Sequence, residues 1–464
     1  MTTAVRKISR RDFLRLAGAA AAGITLAACT PATPAAEPTQ PQPDESQGPV
    51  RLVYQDWRTP WFPAMALEML EKFHQQQPNI RVFYTPDPPR VEEPMLREME
   101  AGTAPDVFAG CCSFFPTFAQ QGHTLDLRPY VAADLDQATI KDWSEAQYRA
   151  FFTDDGRQYA LPKYHGGLAL FFNRDMFDEA GVDYPTEAWT HDDYREAMQK
   201  LTVRKGDKTT RWGSMIDVSW DRIQVHVNAW GGTFVDPQDH KKCRMAEKPS
   251  LEAHEWLRAR MWDDRVMATS LDVEKMETRD AFINQKIAMV EDGSWALKDI
   301  LNKAKFRIGV AIFPAGPVKR TTLATTDGWG IYARTQYPDA AWELLKFLTG
   351  QDYGRAMAKT SFLQPARASI VPDWVGYIRE QYPEQAADVD LAAFADGHIK
   401  GYSVTTEAFT NMLDVTATAR ETWDRIFTLG QSPVSDLANL CSKIETMQQQ
   451  SSGLPVNCNC GTAS

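Results

Sequence analysis

The sequence contains no run of about 20 apolar residues, the length a helix needs to cross a bilayer. Its mean hydropathy is −0.41. A polytopic membrane protein is excluded. Catalytic signatures are equally scarce. There is no Walker A loop, no G-x-S-x-G elbow and no H-E-x-x-H zinc helix, and His254-Glu255 lacks a second histidine on its face. The eight histidines show no metal-ligand spacing, so neither metal nor cofactor is expected. Gly328-Trp329-Gly330-Ile331-Tyr332-Ala333 matches a lone G-x-G-x-x-A. A bulky Trp fills its turn and no helix begins on it, as a dinucleotide site would require. Glycosidase chemistry needs two carboxyls facing each other across a cleft. Asp154-Asp155, Asp192-Asp193 and Glu291-Asp292 are sequence neighbours instead. Asp192-Asp193 reads as a helix cap, and Asp154-Asp155-Gly156 as a turn. Basic residues are also in deficit. Lys and Arg number 50 against 61 Asp and Glu, a net charge of −11, which argues against nucleic-acid binding.

What is present is apolar and aromatic. Of 464 residues, 43% are hydrophobic, enough for two or three domains. Aromatics reach 11%, with 14 Trp, 14 Tyr and 22 Phe. That supply builds cores, stacking surfaces, or both.

The first residues set the compartment. Arg6 to Arg15 is basic, and residues 16–26 are apolar and uncharged, a charged n-region before a short h-region. Ser9-Arg10-Arg11-Asp12-Phe13-Leu14-Arg15 resembles the twin-arginine export signal. Leu26-Ala27-Ala28-Cys29 resembles a bacterial lipobox, which implies cleavage before Cys29 and lipidation of its thiol. Residues 1–28 carry five basic residues against Asp12, a net of +4, so the mature chain stands near −15. Residues 29–49 are dense in Pro, Thr, Gln and Ala and read as a flexible tether. The segment plan is an exported body, lipid-anchored at the membrane and facing the periplasm or exterior.

From residue 50 onward, strand and helix patterns alternate. Short β-type runs are predicted at 50–54, 80–84 and 106–108, and helices at 63–77 and 114–121. Ala66, Met69, Leu70 and Phe73 lie on one face at i, i+3, i+4 and i+7. Further helices are predicted at 191–202, 251–263, 278–284 and 339–349, and beyond about 375 the pattern is mostly helical. Such alternation implies a parallel α/β construction.

Several segments, in order, are similar to the family 1 extracellular solute-binding proteins, the sugar-binding lipoproteins of ABC importers. They include Phe73 to Val82 with its Pro78-Asn79-Ile80 turn, Ala101-Gly102-Thr103-Ala104-Pro105-Asp106-Val107, and Ala160-Leu161-Pro162. They continue through Leu170 to Phe177 with Asn173-Arg174-Asp175, Glu179-Ala180-Gly181-Val182, Trp189 to Tyr194, Trp230-Gly231-Gly232, and Ile312 to Pro317. The resemblance implies a two-lobed, type II-like binding-protein fold with a hinge and discontinuous lobes. Lobe one would be 50–165 with 326–362, and lobe two 166–325 with 363–464. It implies a monomeric receptor that takes a sugar or oligosaccharide between its lobes and docks on ABC permease subunits. A non-sugar solute (glycerol 3-phosphate, a polyamine) and an exported glycan hydrolase are the alternatives.

Sugar rings stack C–H faces on Trp and Tyr, and their hydroxyls need planar polar partners. Trp57, Trp230, Trp295 and Trp329 stand beside Gly or Asp in loop-like context. With the family's cleft loops as guide, these four are the expected platforms. Asp56, Asp292, Asp327 and Arg367 are the expected hydrogen-bonding groups, with Tyr164 on the first crossover. Trp143, Trp189, Trp256, Trp262 and Trp342 lie in helical patterns and read as core. With Cys29 lipidated, six cysteines remain outside the cytoplasm. Cys441 has Cys458 or Cys460 as nearby partners, and pairing is not fixed by sequence. Cys111-Cys112 reads as a vicinal disulfide or, preferably, two buried thiols.

Overall fold

The computed structural model describes residues 48–451 except 90, 112, 113, 154, 410 and 411. The export signal, Cys29, the tether, Asp154, Cys112, Cys458 and Cys460 therefore lie outside the described residues.

The body is built on two sheets. In the first, Ile80–Pro86, Val50–Asp56 and Val107–Gly110 run parallel, and Gly328–Ile331 and then Leu161–Pro162 continue it antiparallel. Period-two alternation puts opposite faces into two cores. Leu52, Tyr54, Val107 and Ala109 point into one, and Phe108 into the other. Helix Phe62–Gln76 covers the first face with Phe62, Met65, Ala66, Met69, Leu70 and Phe73, each worth roughly 1.5–3 kcal/mol where large and fully buried. Pro63 opens the helix, where its missing N–H costs nothing. Gly110 is required on the other face, because a Cβ there would lie 2.4 Å from the Phe115 ring.

The second sheet runs Ile308–Ala311, Leu168–Asn173, Ile287–Gly293, Lys208–Met215, Val203–Lys205. Its alternation is equally plain: Leu170, Phe172 and Met289 face one core, Ala169, Phe171 and Val290 the other. Helix His191–Leu201 starts on a capping box between Thr190 and Asp193. Asp193 is thus the third helical residue rather than the cap itself. Helices Met412–Trp423 and Leu437–Ser451 pack onto this half through Val415, Trp423, Leu440 and Ile444.

Three segments cross between the sheets. Residues 163–167 and 324–327 lie side by side, with Lys163 N–H donating to Asp327 O and Thr325 N–H to Gly166 O. A third, around Gln364-Pro365, bridges to Tyr164 and accepts from His165 N–H. Gln147 Nε2 donates to both Tyr164 O and Thr325 O and binds the first two together.

Cys441 is bonded to Cys243, not to the C-terminal cysteines. The partners are 198 residues apart, and the bond joins the loop after Val235 to helix Leu437–Ser451. The earlier pairing favoured sequence proximity, whereas folding brings the last helix against the second half. A loop of that size is worth about 5 kcal/mol in the chain-entropy model. Reduction should lower the urea midpoint of the parent and leave a Cys243→Ser/Cys441→Ser variant unmoved. Equal midpoints for reduced and oxidised parent would refute the contribution.

Candidate functional site

The crossing segments bring distant residues together. Asp56 ends the first strand and is wholly buried. Its Oδ2 accepts from Tyr54 Oη (2.5 Å) and Trp329 Nε1 (2.6 Å). Its Oδ1 accepts from Trp57 N–H (2.7 Å) and pairs with the Lys163 ammonium. Four donors saturate a carboxylate. Asp56 and Trp329 (1% exposed) are therefore committed to the protein in this conformation.

Trp57 is half-buried, with Lys163 Nζ 3.2 Å from its ring centroid and Tyr164 edge-on at 5.5 Å. Burial pulls the Lys163 ammonium below the ordinary lysine range, and Asp56 pulls the other way. Tyr164 hydrogen-bonds Asp327, whose carboxyl burial pushes up to about 6 despite Lys163. Asp87 follows the neighbouring strand and donates its N–H to Asp56 O (2.7 Å). Its carboxyl is pushed up to about 7, first by burial and then by the Asp56 charge.

Trp295 comes from the second half. It is half-buried, and a Cβ on Gly166 would lie 2.8 Å from its ring. Glycine at that position thus lets Trp295 reach the crossing that carries Tyr164. Arg222 lies over Trp295 at 5.3 Å and 3.9 Å from Asp292. Arg279 Nε donates to Asp292 at 3.0 Å. One group thus holds Asp56, Trp57, Tyr164, Asp292, Trp295, Asp327 and Trp329.

Two expected residues stand apart. Trp230 packs on His191 (4.7 Å) and Trp256 (5.7 Å) in the second-half core. Arg367 is buried, donates to Thr349 O and Thr139 O, and covers Trp143 at 4.2 Å. Reasoning from sequence missed Lys163, Arg222, Arg279 and Asp87. Lys163 alone carried a signal, since it directly follows the Ala160-Leu161-Pro162 motif. Among the described residues, no group of three or more His, Cys, Asp or Glu could hold a metal. Gly328–Ile331 is an inner strand, not a nucleotide loop.

Residues 57–355 match the bacterial extracellular solute-binding protein family. The chain belongs to that family. Residues 7–27 match the twin-arginine translocation signal, so the protein is exported. A binding protein of Brucella abortus is 22% identical over 66% of this chain and 73% of its own length. The maltotriose-binding protein of Pyrococcus abyssi is 23% identical over 61% and 58%. The fold matches an ABC substrate-binding protein from Listeria monocytogenes in complex with cycloalternan at a TM-score of 0.74, with 21% identity, 88% of this chain and all of the other. It also matches UgpB from Mycobacterium tuberculosis in complex with glycerophosphocholine at 0.69, with 17% identity, 87% and 98%. This solute-binding protein therefore has the expected two-lobed α/β architecture, with mixed rather than wholly parallel sheets.

The Asp327 carboxyl provides a test of the junction. Its folded value of about 6 lies above the ordinary 3.8. Its stabilising contribution is then complete below about pH 4 and is lost as pH rises through 6. Asp327→Asn stays neutral and keeps an acceptor for Tyr164. It should melt above the parent at pH 8, with an advantage of at most about 3 kcal/mol that vanishes near pH 4. A difference independent of pH would exclude a buried, raised carboxyl.

Proposed function

We propose that this chain captures a sugar or oligosaccharide at the junction of its lobes and delivers it to the membrane subunits of an ABC importer. One observation carries the reading. Trp57, Tyr164 and Trp295, from three separate segments, converge where the chain crosses between sheets, beside Asp292 and Asp327. Aromatic faces beside planar polar groups suit a carbohydrate. Relatives named for maltotriose, maltodextrin and arabinooligosaccharide binding support the same ligand class. We assign the lobes as 50–165 with 326–362 and 166–325 with 363–464. The body acts as a monomer and is non-catalytic. Its most enzyme-like relay, His191–His226–Glu291, is buried inside the second half and closed to substrate.

The glycerophosphocholine-binding neighbour favours a second reading, a phosphodiester ligand. A phosphate needs an available cation; Arg279 is hydrogen-bonded to Asp292, and Arg222, 3.9 Å from the same carboxylate, is the cation such a ligand would engage. Calorimetry of the mature chain should yield stoichiometric binding among glycans, and Trp57→Ala should weaken it at least about tenfold, or 1.4 kcal/mol. Binding only to glycerophosphodiesters or amines would remove the carbohydrate assignment.

Cys29 carries the lipid in this reading. Cys29→Ala should move the protein from the membrane pellet to the soluble fraction. Undiminished sedimentation with membranes would rule that anchor out.

A further inference from the structure

A relay of buried polar groups runs through the second half. It starts at Ala315 O, in the loop that follows strand Ile308–Ala311, with His191 Nδ1 3.1 Å from that oxygen. His191 Nε2 lies 3.0 Å from His226 Nδ1, and His226 Nε2 lies 3.1 Å from Glu291 Oε2. Tyr194 Oη donates to Glu291 Oε1 at 3.3 Å and lies 2.6 Å from Ser214 Oγ. His191, His226 and Glu291 are each at most 4% exposed.

The contacts from Ala315 to Glu291 each need one hydrogen. Ala315 O can only accept, so His191 Nδ1 carries a proton. A second lies between the two imidazoles. A third lies between His226 Nε2 and Glu291 Oε2. Two neutral imidazoles supply only the first two, and an ionised carboxylate supplies none. The relay therefore holds one proton more than the same groups carry in water at pH 8, where histidine is neutral and glutamate ionised. Burial, and then His226, push the His191 imidazole down to about 3, so the extra proton rests between His226 and Glu291.

The surroundings offer no substitute donor. Trp256 stacks on His226 at 6.1 Å, and Trp230 and Trp256 meet the His191 ring edge-on. His254, on the helix that carries Trp256, is pushed down to about 4 by burial, and its Nδ1 faces Ser250 O. Arg320 opposes a charge on His191 but donates to Phe313 O and Glu187 O. Arg222 stands one turn before His226 on helix Trp220–Ala229 and faces Asp292 instead. The relay thus fastens helix Trp220–Ala229, which carries Arg222, to strand Ile287–Gly293, which carries Asp292.

We infer that the second half folds around one trapped proton, held between His226 and Glu291, and that it acts as a pH-sensitive pin between that helix and that strand. Its loss leaves two lone pairs facing each other in place of a buried hydrogen bond. Unfolding releases it, because free histidine and glutamate titrate near 6.5 and 4.3. The pin's contribution is therefore lost as pH rises. The proton is retained whether or not the junction takes a sugar.

Glu291→Gln supplies an amide N–H in place of the carboxyl hydrogen, keeping the bond without a titratable proton. Urea unfolding of both mature chains is compared from pH 6 to 8. The parent's unfolding constant should rise about tenfold per pH unit relative to the variant's, the effect of one proton, while groups common to both chains cancel. A ratio independent of pH would overturn the trapped proton. Proton NMR of the parent with ¹⁵N-labelled histidine, at pH 8, decides the matter even where the variant does not fold. Three exchange-protected hydrogen-bonded protons are expected between Ala315 and Glu291; only two would overturn the inference.

Discussion

The structure depends on one ion pair. Asp56 and Lys163 both have side chains with no exposure. Removing two charges from water costs several kcal/mol each, and their attraction compensates only when the remaining lone pairs and protons are also satisfied. Here they are, through Tyr54, Trp329 and the Trp57 backbone. The pair joins the end of the first strand to the first crossing, and Trp329 adds the strand that follows the second crossing. Loss of either partner would strand a buried charge, at a cost of about 3–5 kcal/mol.

The same pair determines the junction's chemistry. Lys163 reaches Asp56 only by lying across Trp57, and Arg222 lies over Trp295 in the same way. Both indoles therefore carry a cation on one face. Such contacts are worth about 0.5–2 kcal/mol when partly desolvated. In the proposed function, a sugar ring takes the opposite face or displaces the cation. Either route holds the indoles in fixed orientations beforehand, and less ordering is then left to binding. The carboxylates Asp87 and Asp327 hold raised proton affinities because burial disfavours their charged forms, and the Asp56 charge adds to the effect at Asp87.

The sequence made the elements legible and much of the site illegible. Period-3.6 faces such as Ala66, Met69, Leu70 and Phe73 became helices within a residue or two of the expected ends. The short strands were visible from β-branched and aromatic runs. The glycines around Trp329 misled for a physical reason. They suggested an exposed loop, yet Gly328 and Gly330 sit in an inner strand, where Cβ atoms would press on Phe151 and Phe115. Small neighbours admit large rings from the adjacent core, so Trp329 is enclosed rather than presented. Arg367 was similarly absorbed, as its guanidinium spans the Thr349 and Thr139 carbonyls and the Trp143 face. Lys163–Asp56 and Cys243–Cys441 join residues 107 and 198 positions apart, where periodicity carries no information.

The polar groups divide into two kinds, and the division follows from cost. A buried charge without a partner is far more expensive than a neutral group without one. Two junction carboxylates are accordingly ion-paired, Asp56 with Lys163 and Asp292 with Arg279, while Asp87 and Asp327 lessen the cost of burial through raised proton affinity.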